Sequence, residues 1–198
     1  MTTSLFPTAA PVSSRVVPGG TTVWFTGLSG AGKTTLAYQV GPLLEAQGRL
    51  VEYLDGDSVR THLSKGLGFS KADRDTQVER LGFVASRLTR LGGTVLVAAI
   101  SPYEDARRRV RAMVEPFGRF VEVHVRASVD ACARRDVKGL YAKALAGQLP
   151  NFTGVSDPYE PPAAPELLID TEQLSLEEAT RTVVAFLLGT GAGGPRAA

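Results

Sequence analysis

At 198 residues the chain is long enough for one well-packed core and short for two, and its 43% hydrophobic content fits a globular domain. A formal net charge of +2 argues against nucleic acid as the main partner, and a single cysteine, Cys132, rules out an internal disulfide. No Cys/His cluster has metal-ligand spacing, no run reaches about 18 apolar residues, and residues 1–20 lack the basic start and apolar core of a signal peptide. A cytoplasmic protein without a membrane segment is expected, with a flexible tail over residues 1–20, one domain over 21–188 and a disordered Gly/Ala-rich tail over 189–198.

Val23-Trp24-Phe25-Thr26 reads as a buried strand running into Gly27-Leu28-Ser29-Gly30-Ala31-Gly32-Lys33-Thr34-Thr35, the spacing of a phosphate-cradling loop. Glycines let backbone N–H groups turn toward a polyphosphate, and the helix that follows aims its positive end at the same anion. Lys33 is expected to reach the terminal phosphates of a nucleotide, and Thr34 to offer its hydroxyl to Mg²⁺. The helix continues to a stop at Gly48, with a kink or interrupted turn at Pro42.

Leu50–Leu54 is a second strand ending in Asp55-Gly56-Asp57, so both acids fall at the carboxyl edge where ligands collect in parallel sheets. A short helix and a glycine-containing loop follow. Ser70 caps a long helix whose apolar face is Val78, Leu81, Val84, Leu88 and Leu91, with Arg74, Gln77 and Arg80 on the other face and Gly92-Gly93 as the stop. Thr94–Ile100 is a continuous apolar strand ending at Ser101-Pro102-Tyr103. The Arg-rich helix from Glu104 to Met113 reads as a solvated face over Arg107–Arg111. Phe120–Val125 is a fourth strand, Ser128 caps the next helix, and His62, His124 and Cys132 read as structural. Residues 136–165, polar, aromatic and rich in Pro and Gly, suit a functional lid. Leu167–Asp170 is a fifth strand and 174–188 a final amphipathic helix. This alternation predicts a three-layer α/β/α sandwich on a five-stranded parallel sheet, of P-loop kinase type.

Six ordered signatures resemble those of adenylylsulfate (APS) kinases across about residues 20–188: Gly27–Thr34, Leu54–Arg60, Leu67–Ser70 with Asp73-Arg74, Ile100–Tyr103, Arg135–Tyr141, and Phe152-Thr153-Gly154 through Asp157–Glu160. The resemblance implies transfer of the γ-phosphoryl of ATP to the 3′-hydroxyl of APS, giving 3′-phosphoadenylylsulfate (PAPS) for sulfate assimilation. It implies that Phe69 and Phe152 sandwich the APS adenine and that Arg60 and Arg74 hold the phosphosulfate. Gln77, Ile100, Leu140 and Thr153 complete the APS set. Asp57 is assigned to the 3′-hydroxyl and the Mg²⁺ shell, Lys33 and Lys138 to charge on the transferring phosphoryl, and Arg134 or a neighbour to the ATP base. Ser101 matches a serine described in the family as a phosphorylated intermediate. Its local sequence supplies no base, which favours direct in-line transfer with Ser101 binding substrate through its hydroxyl or backbone. The resemblance also implies a homodimer and a candidate ATP sulfurylase partner.

Two positions depart from the family pattern: Glu104 stands where an arginine is common and Gln77 where an asparagine is usual. A kinase of the same shape acting on another small alcohol or nucleotide, and a non-catalytic APS-binding module, are the competing readings. Intact Lys33, Thr34 and Asp57 weigh against the second.

Overall fold

The computed structural model describes residues 19–136 and 139–189. Lys138, assigned above to the lid and the catalytic set, lies outside the described residues, as do residues 1–18 and 190–198 of the two tails. Five parallel strands, β1 (Thr21–Thr26), β2 (Val51–Asp55), β3 (Thr94–Ala98), β4 (Arg119–Arg126) and β5 (Leu167–Asp170), pair in the order β2-β3-β1-β4-β5. The connecting helices are α1 (Lys33–Glu45), α2 (Gly56–Leu63), α3 (Lys71–Arg90), α4 (Glu104–Val114), α5 (Val129–Arg135), α6 (Leu140–Leu145) and α7 (Leu176–Leu188).

Alternation of side chains along the central strands explains both the apolar runs and the two cores. Val23 and Phe25 of β1, with Leu96 and Ala98 of β3, enter the layer packed by α1 and α7. Trp24, Val95 and Val97 enter the opposite layer, packed by α3 and α4. A strand covered on both faces has no solvent side to mark with polar residues, hence the unbroken hydrophobic reading. Since β1 sits mid-sheet between β3 and β4, the loop leaving it opens at the point where chain connections diverge to either side.

Hydroxyl caps fix where helices begin. Ser70, Ser128 and Ser175 accept from the N–H groups of Asp73, Ala131 and Glu178, and the Glu178 side chain returns the bond to complete a capping box on α7. Three details differ from the sequence expectation. α1 runs on through Pro42, whose missing donor costs a single bond in the penultimate turn. β3 stops at Ala98, two residues short of Ile100. Leu91 is 72% exposed because α3 ends at Arg90 and Leu91 is already the C-cap, turned away from the apolar face. No helix among the described residues is long and apolar enough to cross a membrane.

Candidate active site

The phosphate loop is shaped by backbone that only glycine tolerates. Gly27 has φ +149°, and a Cβ there would lie 2.2 Å from the Val125 carbonyl oxygen of β4. Gly32, at φ 103°, is the left-handed N-cap of α1 and has no side-chain cap, so the first N–H groups of the helix face the loop between Leu28 and Ala31. Lys33 is 8% exposed and its Nζ donates to the Leu28 carbonyl at 2.7 Å, folding the ammonium back over the loop. Thr35 is exposed on the first turn. Arg135 reaches from α5 to the loop, donating to Gly30 O (3.4 Å) and to Oγ1 and O of Thr171 (3.0 and 2.8 Å), while Thr171 Oγ1 donates to Ala31 O (3.0 Å). Arg134 is exposed beside it. Both arginines are exposed, and Arg135 is the one that braces the loop.

The acids at the end of β2 divide their tasks. Asp55 Oδ1 caps α2 by accepting from the N–H groups of Asp57 and Ser58 (3.0 and 3.1 Å), and its Oδ2 accepts from Thr34 Oγ1 at 2.8 Å. Asp57 is exposed in the first turn of that helix, where the positive helix end stabilises its carboxylate. A threonine hydroxyl joined to a carboxylate is a hard-oxygen donor set of the kind Mg²⁺ accepts while keeping most of its water. The sequence placed Asp55 with Asp57 at the carboxyl edge of the sheet but gave it no role of its own; its place as the last residue of β2, the edge strand beside β3, was the available signal.

On the acceptor side, one arginine ties two loops together. Arg74, 9% exposed at the start of α3, donates from Nε to the Phe69 carbonyl (2.9 Å) and from Nη2 to the Asn151 carbonyl, so the loops bearing Phe69 and Phe152 share one guanidinium. Arg60 donates from Nη2 to the carbonyls of Leu67 and Gly68 and lies 4.3 Å from the Phe69 ring centroid. These bonds use part of each guanidinium's five donors. Phe69 is 58% exposed, unlike a core aromatic, whereas Phe152 is half-buried, with its ring edge on Tyr141 at 5.0 Å. Phe152 therefore belongs in part to the core, a double role its loop sequence did not signal. Gln77 donates to Gly56 O (3.2 Å), but its buried Oε1 has no partner among the described residues, and the same holds for Oγ1 of Thr153, which is 2% exposed. Ile100 and Leu140 are half-buried.

Ser101 is 2% exposed in the left-handed region at φ 41°, and its hydroxyl is fully engaged: it accepts from Trp24 Nε1 (2.9 Å) and donates to Ala99 O (3.2 Å). Of the two ways in which Ser101 was expected to meet substrate, the hydroxyl is thus directed into the protein.

The expectation of a solvated arginine face on α4 fails at Arg107, which is 2% exposed. It donates to Ser101 O (2.7 Å), Glu160 O (2.8 Å) and Glu104 Oε2 (2.5 Å), and its Nε stands 2.9 Å from Oε1 of buried Glu122. Every fourth residue of a helix turns inward, and a run of like charges hides that periodicity. Arg108 and Arg109 do remain exposed. Glu104 is paired with Arg107, and its N–H donates to Glu160 Oε2 at 2.8 Å. Tyr103 adds a further tie to this segment, donating to Asp157 Oδ2 (2.7 Å); burial and that bond push its phenol up to about 12.

Between residues 154–165 and strands β4 and β5 lies a cavity of about 1000 Å³, lined by His124, Tyr159 and Leu168 among others and reaching the phosphate loop at Leu28. His124 is 8% exposed, and burial, then the nearby charges of Arg107 and Arg126, bring its imidazole down to about 4 from 6.5. Between those values the unfolded chain binds a proton that the folded chain refuses, so stability falls as pH drops, by roughly 3 kcal/mol in total from this group. Urea titrations from pH 7 to pH 4 should show that loss, and His124→Gln should flatten the slope across this window.

A family model described as adenylylsulphate kinase matches residues 19–170. The adenylyl-sulfate kinase of Synechococcus sp. (strain JA-2-3B'a(2-13)) is 56% identical over 172 residues, 87% of this chain and 97% of that protein. Among solved structures, the Mycobacterium tuberculosis APS kinase in complex with AMPPNP and APS aligns at 43% identity with a TM-score of 0.81, covering 87% of this chain and 99% of that one. A hexameric APS kinase from Thiobacillus denitrificans aligns at 44% identity with a TM-score of 0.66, covering 88% of this chain and 30% of that one.

Proposed function

The chain belongs to the adenylylsulphate kinase family, and we propose that it transfers the γ-phosphoryl of ATP directly to the 3′-hydroxyl of APS, yielding PAPS and ADP for sulfate assimilation in the cytoplasm. The observation that carries the acceptor assignment is the Arg74 tie. It holds together two loops that each present a phenylalanine, while beside them the buried Gln77 Oε1 and Thr153 Oγ1 have no partner among the described residues. Buried polar atoms without partners are costly, and a polar ligand relieves that cost.

On the donor side, the N–H groups from Gly27 to Thr35 and the Lys33 ammonium take the phosphates of ATP, with Arg134 toward its base. Lys33 leaves the Leu28 carbonyl to do so. Thr34 Oγ1, oriented by its bond to Asp55 Oδ2, would hold the Mg²⁺ that accompanies ATP, and the ion would supply charge neutralisation on the transferring group. On the acceptor side, Phe69 and Phe152 stack the adenine, worth roughly 1–3 kcal/mol per stacked face in single-strand binders. Arg60 and Arg74 pair their remaining donors with the phosphosulfate, and Gln77, Ile100, Leu140 and Thr153 line the pocket. Asp57 accepts the proton of the 3′-hydroxyl as its oxygen bonds to the γ-phosphorus and the bond to the β-bridging oxygen of ADP breaks. Lys138 is assigned to the same phosphoryl charge from its place in the family motif.

Ser101 is a positioning residue in this scheme. Its hydroxyl is committed to Trp24 and Ala99, and neither can act as a base. The carboxylate that serves the reaction is Asp57, so Asp57→Asn should lower kcat by about 100-fold or more with ATP affinity within about twofold, as read from steady-state rates and nucleotide titration. An unchanged rate removes Asp57 from the proton path. Coupled ADP release with APS, adenosine monophosphate and gluconate as alternative acceptors tests the substrate; turnover with either of the others and none with APS overturns the reading. A homodimer, and contact with an ATP sulfurylase that makes APS, complete the proposal.

A further inference from the structure

Tyr141 touches both halves of this site. It is 2% exposed in α6, its hydroxyl donates to the Ser29 carbonyl of the phosphate loop at 2.9 Å, and its ring meets Phe152 edge-on at 5.0 Å. Neither contact is left to a free side chain. Asp136 pins the start of α6 by accepting from the N–H groups of Tyr141 and Ala142, both at 3.0 Å, after a left-handed turn at Gly139. Phe152 in turn is held in a tight loop: its carbonyl accepts from Val155, Ser156 and Asp157, and its N–H donates to Ser156 Oγ at 2.9 Å. Beside this contact, Gly154 presses so closely on Leu28 that a Cβ would fall 2.8 Å from Leu28 Cδ2.

We propose that Tyr141 is a positioning residue that couples the two substrate subsites, holding the nucleotide loop through Ser29 and the adenine-stacking ring through Phe152. The inference rests on the reading of the phosphate loop as the ATP site and of Phe152 as an APS contact. Ser29 lies between Gly27 and Gly30, in the stretch whose N–H groups turn to the phosphates, so its carbonyl shifts when that stretch closes on an anion. A rigid, buried ring bonded to that carbonyl passes the shift to Phe152. Coupling of this kind is reciprocal, so the nucleotide changes APS affinity by the same factor as APS changes nucleotide affinity.

The test is calorimetric titration of APS into the whole protein with and without a non-hydrolysable ATP analogue and Mg²⁺, for wild type and Tyr141→Phe. In the wild type the analogue should change the APS Kd by about fivefold or more, the lower end of ordinary coupling. Tyr141→Phe keeps the ring on Phe152 and loses the hydroxyl, with its bond to Ser29 and its contact with the buried Cys132 thiol. Its APS Kd without nucleotide should stay within about twofold of wild type, while the coupling factor falls to about one. Thr153→Val, in contrast, should weaken APS binding and keep the factor, because Thr153 contacts no part of the phosphate loop by hydrogen bond. A purely structural tyrosine would lower the melting temperature and leave the ratio intact. Retention of the wild-type factor in Tyr141→Phe, or a wild-type factor of one, overturns the proposal. A wild type that binds the analogue but no APS at any useful concentration overturns the APS reading and separates that failure from this one.

Discussion

Replacing Lys33 with methionine should reduce kcat by about 1000-fold or more, because charge stabilisation of the transferring phosphoryl is most of what the protein contributes to this chemistry. Methionine is close in length and apolar, so the 8% exposed site stays filled and the phosphate loop keeps its backbone. What disappears is the cation and its bond to the Leu28 carbonyl. That bond holds the ammonium within the loop, where the proposed transfer would develop charge. Stopped-flow ADP release and circular dichroism on the same preparation check both halves: a large kinetic loss with an unchanged fold. A variant that keeps more than a tenth of wild-type turnover contradicts the role given to Lys33.

Arg107→Met should cost about 3–5 kcal/mol of stability, the range for breaking a buried ion pair from one side. Glu122 is 6% exposed, and its carboxyl is raised above the usual range because desolvation outweighs the attraction of Arg107 and Arg111. The pair is therefore a poor source of net stability while intact. Its Nε and Oε1 stand 2.9 Å apart without an aligned hydrogen bond. Broken from one side, it leaves a buried carboxylate whose nearest counter-charge has gone. The same substitution frees the carbonyls of Ser101 and Glu160, removing one of several ties between the Glu160 segment and the loop after β3, where Glu160 N–H still donates to Pro102 O at 2.8 Å. For a domain of this size the melting temperature should drop by roughly 10 °C. Adding Glu122→Gln to Arg107→Met should recover a substantial part of that loss in thermal melts, since the neutral amide needs no counter-ion; no recovery would locate the cost in the freed carbonyls instead.

The layered sheet was legible in the sequence because β1 and β3 are buried on both faces and read as continuous apolar runs, and because Ser70 and Ser128 mark helix starts at the positions where their hydroxyls do cap. The phosphate loop was legible for a different reason: its glycines, above all Gly27 against the Val125 carbonyl, are dictated by backbone geometry that leaves a fixed spacing. The weaker readings concern residues whose role comes from distant partners. Arg107 bonds Glu160 across 53 positions and Ser101 across 6, and Tyr141 bonds Ser29 across 112, none of which a local pattern encodes. Asp55 was seen as a strand-end acid, but its bond to Thr34 needed the sheet order to bring β2 beside the start of α1. Phe152 was expected as a loop aromatic, and its contact with Tyr141 packs it partly into the core.

The most direct measurement is to supply ATP radiolabelled on its γ-phosphorus together with Mg²⁺ and APS, quench within one turnover, and locate the label. Direct transfer predicts that it appears on the 3′-oxygen of PAPS while the protein stays unlabelled at every time point. Label that enters Ser101 before PAPS forms contradicts the direct route, and an absence of label in any APS-derived product contradicts the account as a whole.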